Sequence, residues 1–240
     1  MKRNVLLGAL TLLAGSLLAA DSGLKEEVQS AAKLLGEKAN YSWKINMEFG
    51  AGGPGRRAAT EGKTQKGGFT TLTMPYGDNV LEAVMQEGKG VLNSAAGWQT
   101  FEEIAAGNAS VPNPARSLAR MLQNYKLPAG QAEDLLNKTK TLKKVEGAYQ
   151  GEMTEAGATD LLTFRGPAGT GAGPSATNAL GGVRFWLKDG LLIKYQVRVQ
   201  GTVHFNGTDR AVDRTTTVEI KDVGATKITV PEAAKKKMPK

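Results

Sequence analysis

Val183, Phe185 and Leu187 alternate with Arg184, Trp186 and Lys188, and beyond Asp189-Gly190 a second run sets Leu191, Ile193, Tyr195, Val197 and Val199 against Lys194, Gln196 and Arg198. A period of two puts the apolar side chains of a strand on one face and the polar ones on the other, so both runs read as half-buried β-strands. Asp-Gly between such runs is a hairpin signal, because the tight turn that matches strand twist needs positive φ at both central residues. The pair must therefore be antiparallel, and its apolar face must be covered by something. The second strand is expected to pass Gly201, a bulge or bend, and to run through Val203 and Phe205 to a turn at Asn206-Gly207. A return strand over 212–221 follows, with Val218 and Ile220 keeping the alternation, and then a last short strand over 226–230.

Upstream, the same period appears in Tyr41, Trp43, Ile45, Met47 and Phe49 against Ser42, Lys44, Asn46 and Glu48. Shorter runs at 59–65, 68–74, 79–86 and 89–94, separated by glycine or Pro-Tyr-Gly-Asp turn signals, predict an antiparallel meander. Helical spacing comes before and after it. Leu24, Val28, Ala31, Ala32 and Leu35 line one face behind Asp21-Ser22, and from residue 100 the pattern turns helical again. Asn113-Pro114 predicts a capped helix with Leu118, Met121, Leu122 and Tyr125 on one stripe, and a second helix from Pro128 carries Ala132, Leu135 and Leu136. Strands are expected again at 140–154 and 159–165, then a glycine-rich loop over 166–182. With no repeat and no hydrophilic linker, the reading is one α+β domain: a large antiparallel sheet with an N-terminal helix and an inserted helical hairpin over its apolar face.

The first twenty residues read differently. Lys2 and Arg3 precede an apolar stretch from Val5 to Leu18 and the small pair Ala19-Ala20, which is the layout of a cleavable export signal. The stretch is shorter than the ~20 residues a membrane-spanning helix needs. The expected organisation is thus a signal over 1–20 and a single domain over 21–240 that ends in a flexible basic tail, 232–240, with Lys235, Lys236, Lys237 and Lys240. Export points to the periplasm, or to the cell exterior. The chain has no cysteine, which removes disulfides, thiolate metal sites and lipid attachment through an N-terminal cysteine. The formal net charge is +8, of which Lys2 and Arg3 leave with the signal, and the remaining surplus is scattered. An exported chain of this kind is expected to meet an anionic envelope surface or an envelope protein, and not nucleic acid.

Catalytic and cofactor motifs fail on spacing. Gly62-Lys63-Thr64 lacks the earlier glycine of a phosphate loop, since Arg57 stands there, and the glycines at 169, 171 and 173 open no helix. His204 is the one histidine, so a zinc site would have to be almost wholly carboxylate; none is expected, nor any cofactor. His204 falls on the polar face with Asp209 or Asp213 in reach, but no Gly-x-Ser-x-Gly elbow exists to supply a nucleophile. Glu102 and Glu103 diverge on a helix and read as a solvated face. Asparagine sequons at 40, 108, 137 and 206 read as chance and, at 206, as turn chemistry.

The order of signal, amphipathic helix, long strand opening Tyr41-Ser42-Trp43-Lys44, meander, helical insertion and closing strands resembles the outer-membrane lipoprotein carrier (LolA/LppX-like) superfamily. The closing segments are Phe185-Trp186-Leu187-Lys188-Asp189-Gly190, Thr215-Thr216-Thr217-Val218-Glu219-Ile220 and Ile228-Thr229-Val230-Pro231-Glu232. The chain also looks like a group of exported bacterial proteins with that closing pattern. The resemblance implies an incomplete β-barrel, a curved antiparallel sheet with helices over its concave face, and acyl chains carried between the two. The chain departs from the family pattern in the glycine-rich stretch 166–182 and in the absent cysteine.

Two functions follow as expectations, neither of them enzymatic. In the first, the chain binds or carries a lipid, acyl chain or lipoprotein between sheet and helices. The strand residues expected to line that cavity are Trp43, Ile45, Met47, Met85, Phe185, Ile193, Tyr195 and Val197, facing Leu118, Met121, Leu122 and Tyr125 of the inserted helix. Methionines make such a wall adaptable. In the second, the same face is fully packed and the basic surface binds another envelope component, so that the protein is a scaffold.

Overall fold

A computed structural model describes residues 13–50, 55, 58–77, 79–106, 114–163 and 174–239. It holds one antiparallel sheet of eleven strands, in the order β6-β5-β4-β3-β2-β1-β11-β10-β9-β8-β7. Strand β1 (Asn40–Phe49) pairs on one side with β2 (Thr60–Gln65) and on the other with β11 (Thr208–Lys221), which joins the two ends of the chain in the middle of the sheet. The meander continues through β3 (Thr70–Tyr76), β4 (Asn79–Gln86), β5 (Lys89–Ser94) and β6 (Gly97–Thr100). On the other side lie β10 (Leu191–Phe205), β9 (Ser175–Lys188), β8 (Ala148–Met153) and β7 (Thr139–Val145). The sheet is open, with β6 and β7 at its free edges, yet one core cluster takes in Leu92 of β5 and Leu142 of β7 together. Strands nine places apart share a core only if the sheet curves round the helices between them, as an incomplete barrel does.

Those helices are α1 (Leu13–Glu37), α3 (Pro114–Gln123) and α4 (Pro128–Asn137). Val28, Ala32 and Leu35 of α1 are fully buried, as the spacing predicts. α1 is tied to the edge strand β7 by Lys25, whose Nζ donates to the carbonyls of Thr139 (3.0 Å) and Lys140 (2.6 Å), and to β8 by Glu27, which accepts from the Tyr149 hydroxyl. Carbonyls of an edge strand that are bonded by lysine are no longer open to another chain. The short α2 (Phe101–Ala106) starts at a capping box: Thr100 Oγ1 accepts from the Glu103 N–H at 3.0 Å, and Glu103 Oε2 accepts from the Thr100 N–H at 2.8 Å. Among the described residues no helix is long and apolar enough to cross a membrane.

Four sequence expectations are corrected. The start of the strand expected over 159–165 is helix instead: α5 (Glu155–Leu162) runs through it, N-capped by Thr154, which accepts from the Gly157 N–H at 3.0 Å, and residues 164 and 165 lie outside the described residues. Of the loop expected over 166–182, the part from Ser175 onward is strand, β9, which pairs along β10, and residues 166–173 lie outside the described residues. Residues 226–230 form no strand: both neighbours of β11 are already taken, so this segment crosses the outer face, where Val230 packs with Val84 and Val91. It leads into α6 (Glu232–Lys237), in the stretch expected to fray, and Ala234 is fully buried there while Lys237 bonds Glu103 at 3.1 Å. The first twelve residues of the expected signal, the cap Asn113 and the glycines at 169, 171 and 173 lie outside the described residues.

The turns hold as predicted. Asp189 and Gly190 sit at φ 53° and 74°, and Asn206 and Gly207 at 50° and 72°. Gly201 marks a register shift between Gln200 and Thr202, the expected bulge.

Candidate functional site

Most of the space between sheet and helices is filled. Trp43, Phe185, Tyr195 and Leu122 are each at most 2% exposed, and they join Leu72, Leu92 and Leu192 in one continuous core. Ile45, Leu118, Tyr125 and Val197 are partly buried against it. Met47 is half-buried on the outer half of β1 and does not join the core.

Two of the expected lining residues point elsewhere. Leu192 and Tyr195 are both buried although three residues apart, which a strand of period two does not allow. A bulge between Leu192 and Lys194 takes up the extra residue, so Leu192 replaces Ile193 in the core and Ile193 is only half-buried. On α3 the buried face is centred on Ala119 and Leu122, with Ala115 and Leu118 beside them. The alanines let the helix lie close, and Met121 is turned to solvent, 38% exposed.

An apolar recess remains among the described residues. A cleft of about 380 Å³ opens between the C-terminal end of α1, the β2–β3 and β4–β5 turns and the α3–α4 connector. Its floor is Tyr41, Met85, Leu122, Tyr125 and Leu127, and Lys38, Lys66 and Glu87 stand around its mouth. Glycines 67, 68 and 88 keep the two turns thin. Of the twelve residues expected to line a cavity, Met85, Leu122 and Tyr125 are at this cleft. Tyr41 and Leu127 were not among them. Tyr41 shares the β1 face of Trp43, which was a usable signal, whereas Leu127 is placed only by the tertiary path of the connector.

Behind the floor lies a group of polar aromatic side chains. The Trp43 ring is 5.7 Å from that of Tyr41 and stacks on that of Tyr125 at 6.5 Å, centroid to centroid. Tyr195 donates its hydroxyl to Gln131 Oε1 at 2.7 Å. Tyr41 Oη, Trp43 Nε1 and Tyr125 Oη are buried without a hydrogen bond of good geometry among the described residues, although the Tyr125 hydroxyl lies beside Trp43 and Gln131 and the Tyr41 hydroxyl beside the Ala129 backbone. Burial pushes the Tyr125 hydroxyl up to about 12, a rise tempered by the neighbouring Trp43 and Gln131, and it raises Tyr41 and Tyr195 as well.

A larger trough of about 1010 Å³ crosses the outer side of β1, β11, β10, β9 and β8. Its walls are mixed in charge and partly self-paired, as where Arg198 bonds Asp213 at 3.0 and 2.8 Å. His204, on the same half of the sheet, is held between Asp209 and Thr177. No cluster of metal-ligating side chains occurs among the described residues.

No protein-family model matches the chain, and no curated protein matches it. Among solved structures the chain is similar to the lipoprotein LppX of Mycobacterium tuberculosis, at 8% identity and a TM-score of 0.45 over 88% of this chain and 100% of that one. It is similar to LprF of Mycobacterium bovis at 10% identity and a TM-score of 0.42, over 89% and 98%. A LolA superfamily protein of Nitrosomonas europaea is similar at 7% identity and a TM-score of 0.32, over 87% and 94%.

Proposed function

We propose that the chain is an exported, non-enzymatic envelope protein that binds an acyl amphiphile in the 380 Å³ cleft, after removal of a signal near Ala20. The observation that carries the reading is the recess itself: an apolar floor of Met85, Leu122 and Leu127 under a mouth with Lys38 and Lys66. Binding pockets for small ligands are concave and mostly apolar, with a few polar groups that fix orientation. A tail of about eight methylenes gains roughly 6 kcal/mol on burial, before the entropy of association is subtracted. An anionic head would rest at the mouth beside the two lysines, with Glu87 on the opposite side of the balance. The scaffold reading has its own support in the packed inner face around Trp43, Phe185 and Tyr195, which confines any ligand to the cleft.

The test is uptake of a fluorescent fatty acid by the mature chain. Met85→Trp fills the cleft and is expected to weaken uptake at least tenfold, whereas Met121→Trp, on the solvent side of α3, leaves it unchanged. No uptake by the wild type, or equal uptake by a folded Met85→Trp, favours the scaffold.

A further inference from the structure

The trough on the outer side of the sheet has a hollow in its floor. Gly182 of β9 stands there between its cross-strand partners, Glu152 of β8 and Arg198 of β10, and Leu180 and Arg184 flank it on the same face of its own strand. A Cβ at Gly182 would meet only the Gly151 carbonyl oxygen, at 3.6 Å, so the missing side chain leaves open space above the sheet. The polar side chains beside the hollow are held in place. Arg198 makes its two bonds to Asp213, which Gln200 also bonds, and Gln196 donates through Nε2 to Thr217 Oγ1 at 3.0 Å, which leaves its Oε1 to accept. Arg184 and Glu152 are exposed and form no ion pair among the described residues.

The charges of the trough nearly cancel, with the four carboxylates of Glu48, Glu152, Glu155 and Asp213 set against the three cations of Lys140, Arg184 and Arg198. A polyanion would be repelled by the first set and a polycation by the second. An acyl tail would find little cover, since among the described lining residues Leu180 alone is a large apolar side chain open to solvent, at 66%. A hydroxyl both donates and accepts, whereas Arg184 can only donate and ionised Glu152 only accept. Adjacent hydroxyls of one sugar ring satisfy both without a countercharge, and the C–H face of the ring rests on Leu180. The trough crosses five strands, about 19 Å at the usual interstrand spacing, which is room for a chain of rings. We infer that the trough binds a neutral oligosaccharide, with one ring seated over Gly182 between Arg184 and Glu152 and the next ring on Gln196 and Arg198. The trough shares no lining residue with the cleft, so this site stands apart from the binding of an acyl amphiphile.

Titration calorimetry of the mature chain with maltohexaose, cellohexaose and chitohexaose tests this, with hexagalacturonate and a hexapeptide of mixed charge as the competing probes. At least one neutral hexasaccharide should bind, and Gly182→Trp, which fills the hollow, should weaken it about tenfold or more. Arg184→Ala and Glu152→Ala should each weaken it about three- to tenfold. Both side chains are exposed, so these two variants carry the test if the thermal midpoint shows that Gly182→Trp does not fold. Uptake of the fluorescent fatty acid should be the same in all the folded variants as in the wild type. Absence of binding to any neutral hexasaccharide at millimolar concentration, or equal binding by the wild type and the folded variants, overturns the inference. Tighter binding of hexagalacturonate or of the peptide also overturns it, and would make the trough a site for an anionic glycan or for a protein.

Discussion

The two halves of the sheet are built on different terms. β9, β10 and β11 are 14, 15 and 14 residues long and are joined by two-residue turns at Asp189-Gly190 and Asn206-Gly207. β2 to β6 run from 4 to 8 residues, and β4 and β5 are buried on both faces, with Leu81, Ala83 and Met85 in the main core and Val84 and Val91 under α6. Long alternating strands with strong turns fix their own register, so that half serves as a frame. The short half depends on what packs against it, and the recess lies where its thin glycine turns fail to meet the end of α1 and the α3–α4 connector. Rigidity and the recess thus belong to different parts of one sheet.

The seam between the halves is where the comparison breaks most easily. Gly62 pairs with Trp43 across β1 and β2, and a Cβ at that position would lie 2.2 Å from Trp43 Cε2 and Cζ2. The indole thus fills the space a side chain would occupy, an aromatic ring covering a strand glycine. Gly62→Val should cost about 3 kcal/mol through overpacking, read as a fall in the denaturant midpoint. An unchanged midpoint would show that Trp43 moves freely, and that the seam does not hold the cluster behind the cleft.

The frame was largely legible in the sequence, because alternation and turn chemistry are local properties. The helical hairpin was legible too, through Pro114, Pro128 and the spacing of Leu118, Leu122, Leu135 and Leu136. Corrections fall where a single residue or a distant partner decides. The bulge that exchanges Ile193 for Leu192 leaves no mark in the pattern, which is apolar at 191, 192 and 193 alike. The cap at Thr154 and the capping box at Thr100 and Glu103 were readable by their spacing. The burial of α6 was not, since only the tertiary fold brings Val230 and Ala234 to Val84 and Val91. The cleft is a gap between elements, and no segment of sequence encodes a gap.

The halves should also fail at opposite ends of the pH scale, and the alkaline end gives the larger signal. The folded-state value of Tyr125 is raised to about 12 against an ordinary 10, so its contribution to stability is complete below pH 10 and is lost as pH rises through 12. Between those limits the loss attributable to Tyr125 is about 1.4 kcal/mol per pH unit. Tyr125→Phe removes the titrating group, so its stability should fall less steeply than that of the wild type when unfolding is followed by denaturant titration at pH 9, 10 and 11. Parallel slopes for the two proteins would mean that the Tyr125 hydroxyl is solvated in the folded state.

At the acid end the effect is smaller and lies in the frame. Asp213 of β11 accepts two hydrogen bonds from Arg198 of β10, and this pairing holds its carboxyl below the ordinary 3.8. A depressed folded-state value gives a stabilisation that is present above 3.8 and disappears as pH falls through the lower folded value. The pair is on the outer face, with the Arg198 side chain 57% exposed and that of Asp213 32% exposed, so solvent and salt screen it. Asp213→Asn should therefore leave stability at pH 7 nearly unchanged and flatten the acid limb slightly below pH 4, an effect that shrinks further in high salt. A large loss at pH 7 would instead mean that this ion pair helps to hold β10 and β11 in register, and that the long strands need more than their own alternation and turns to act as the frame.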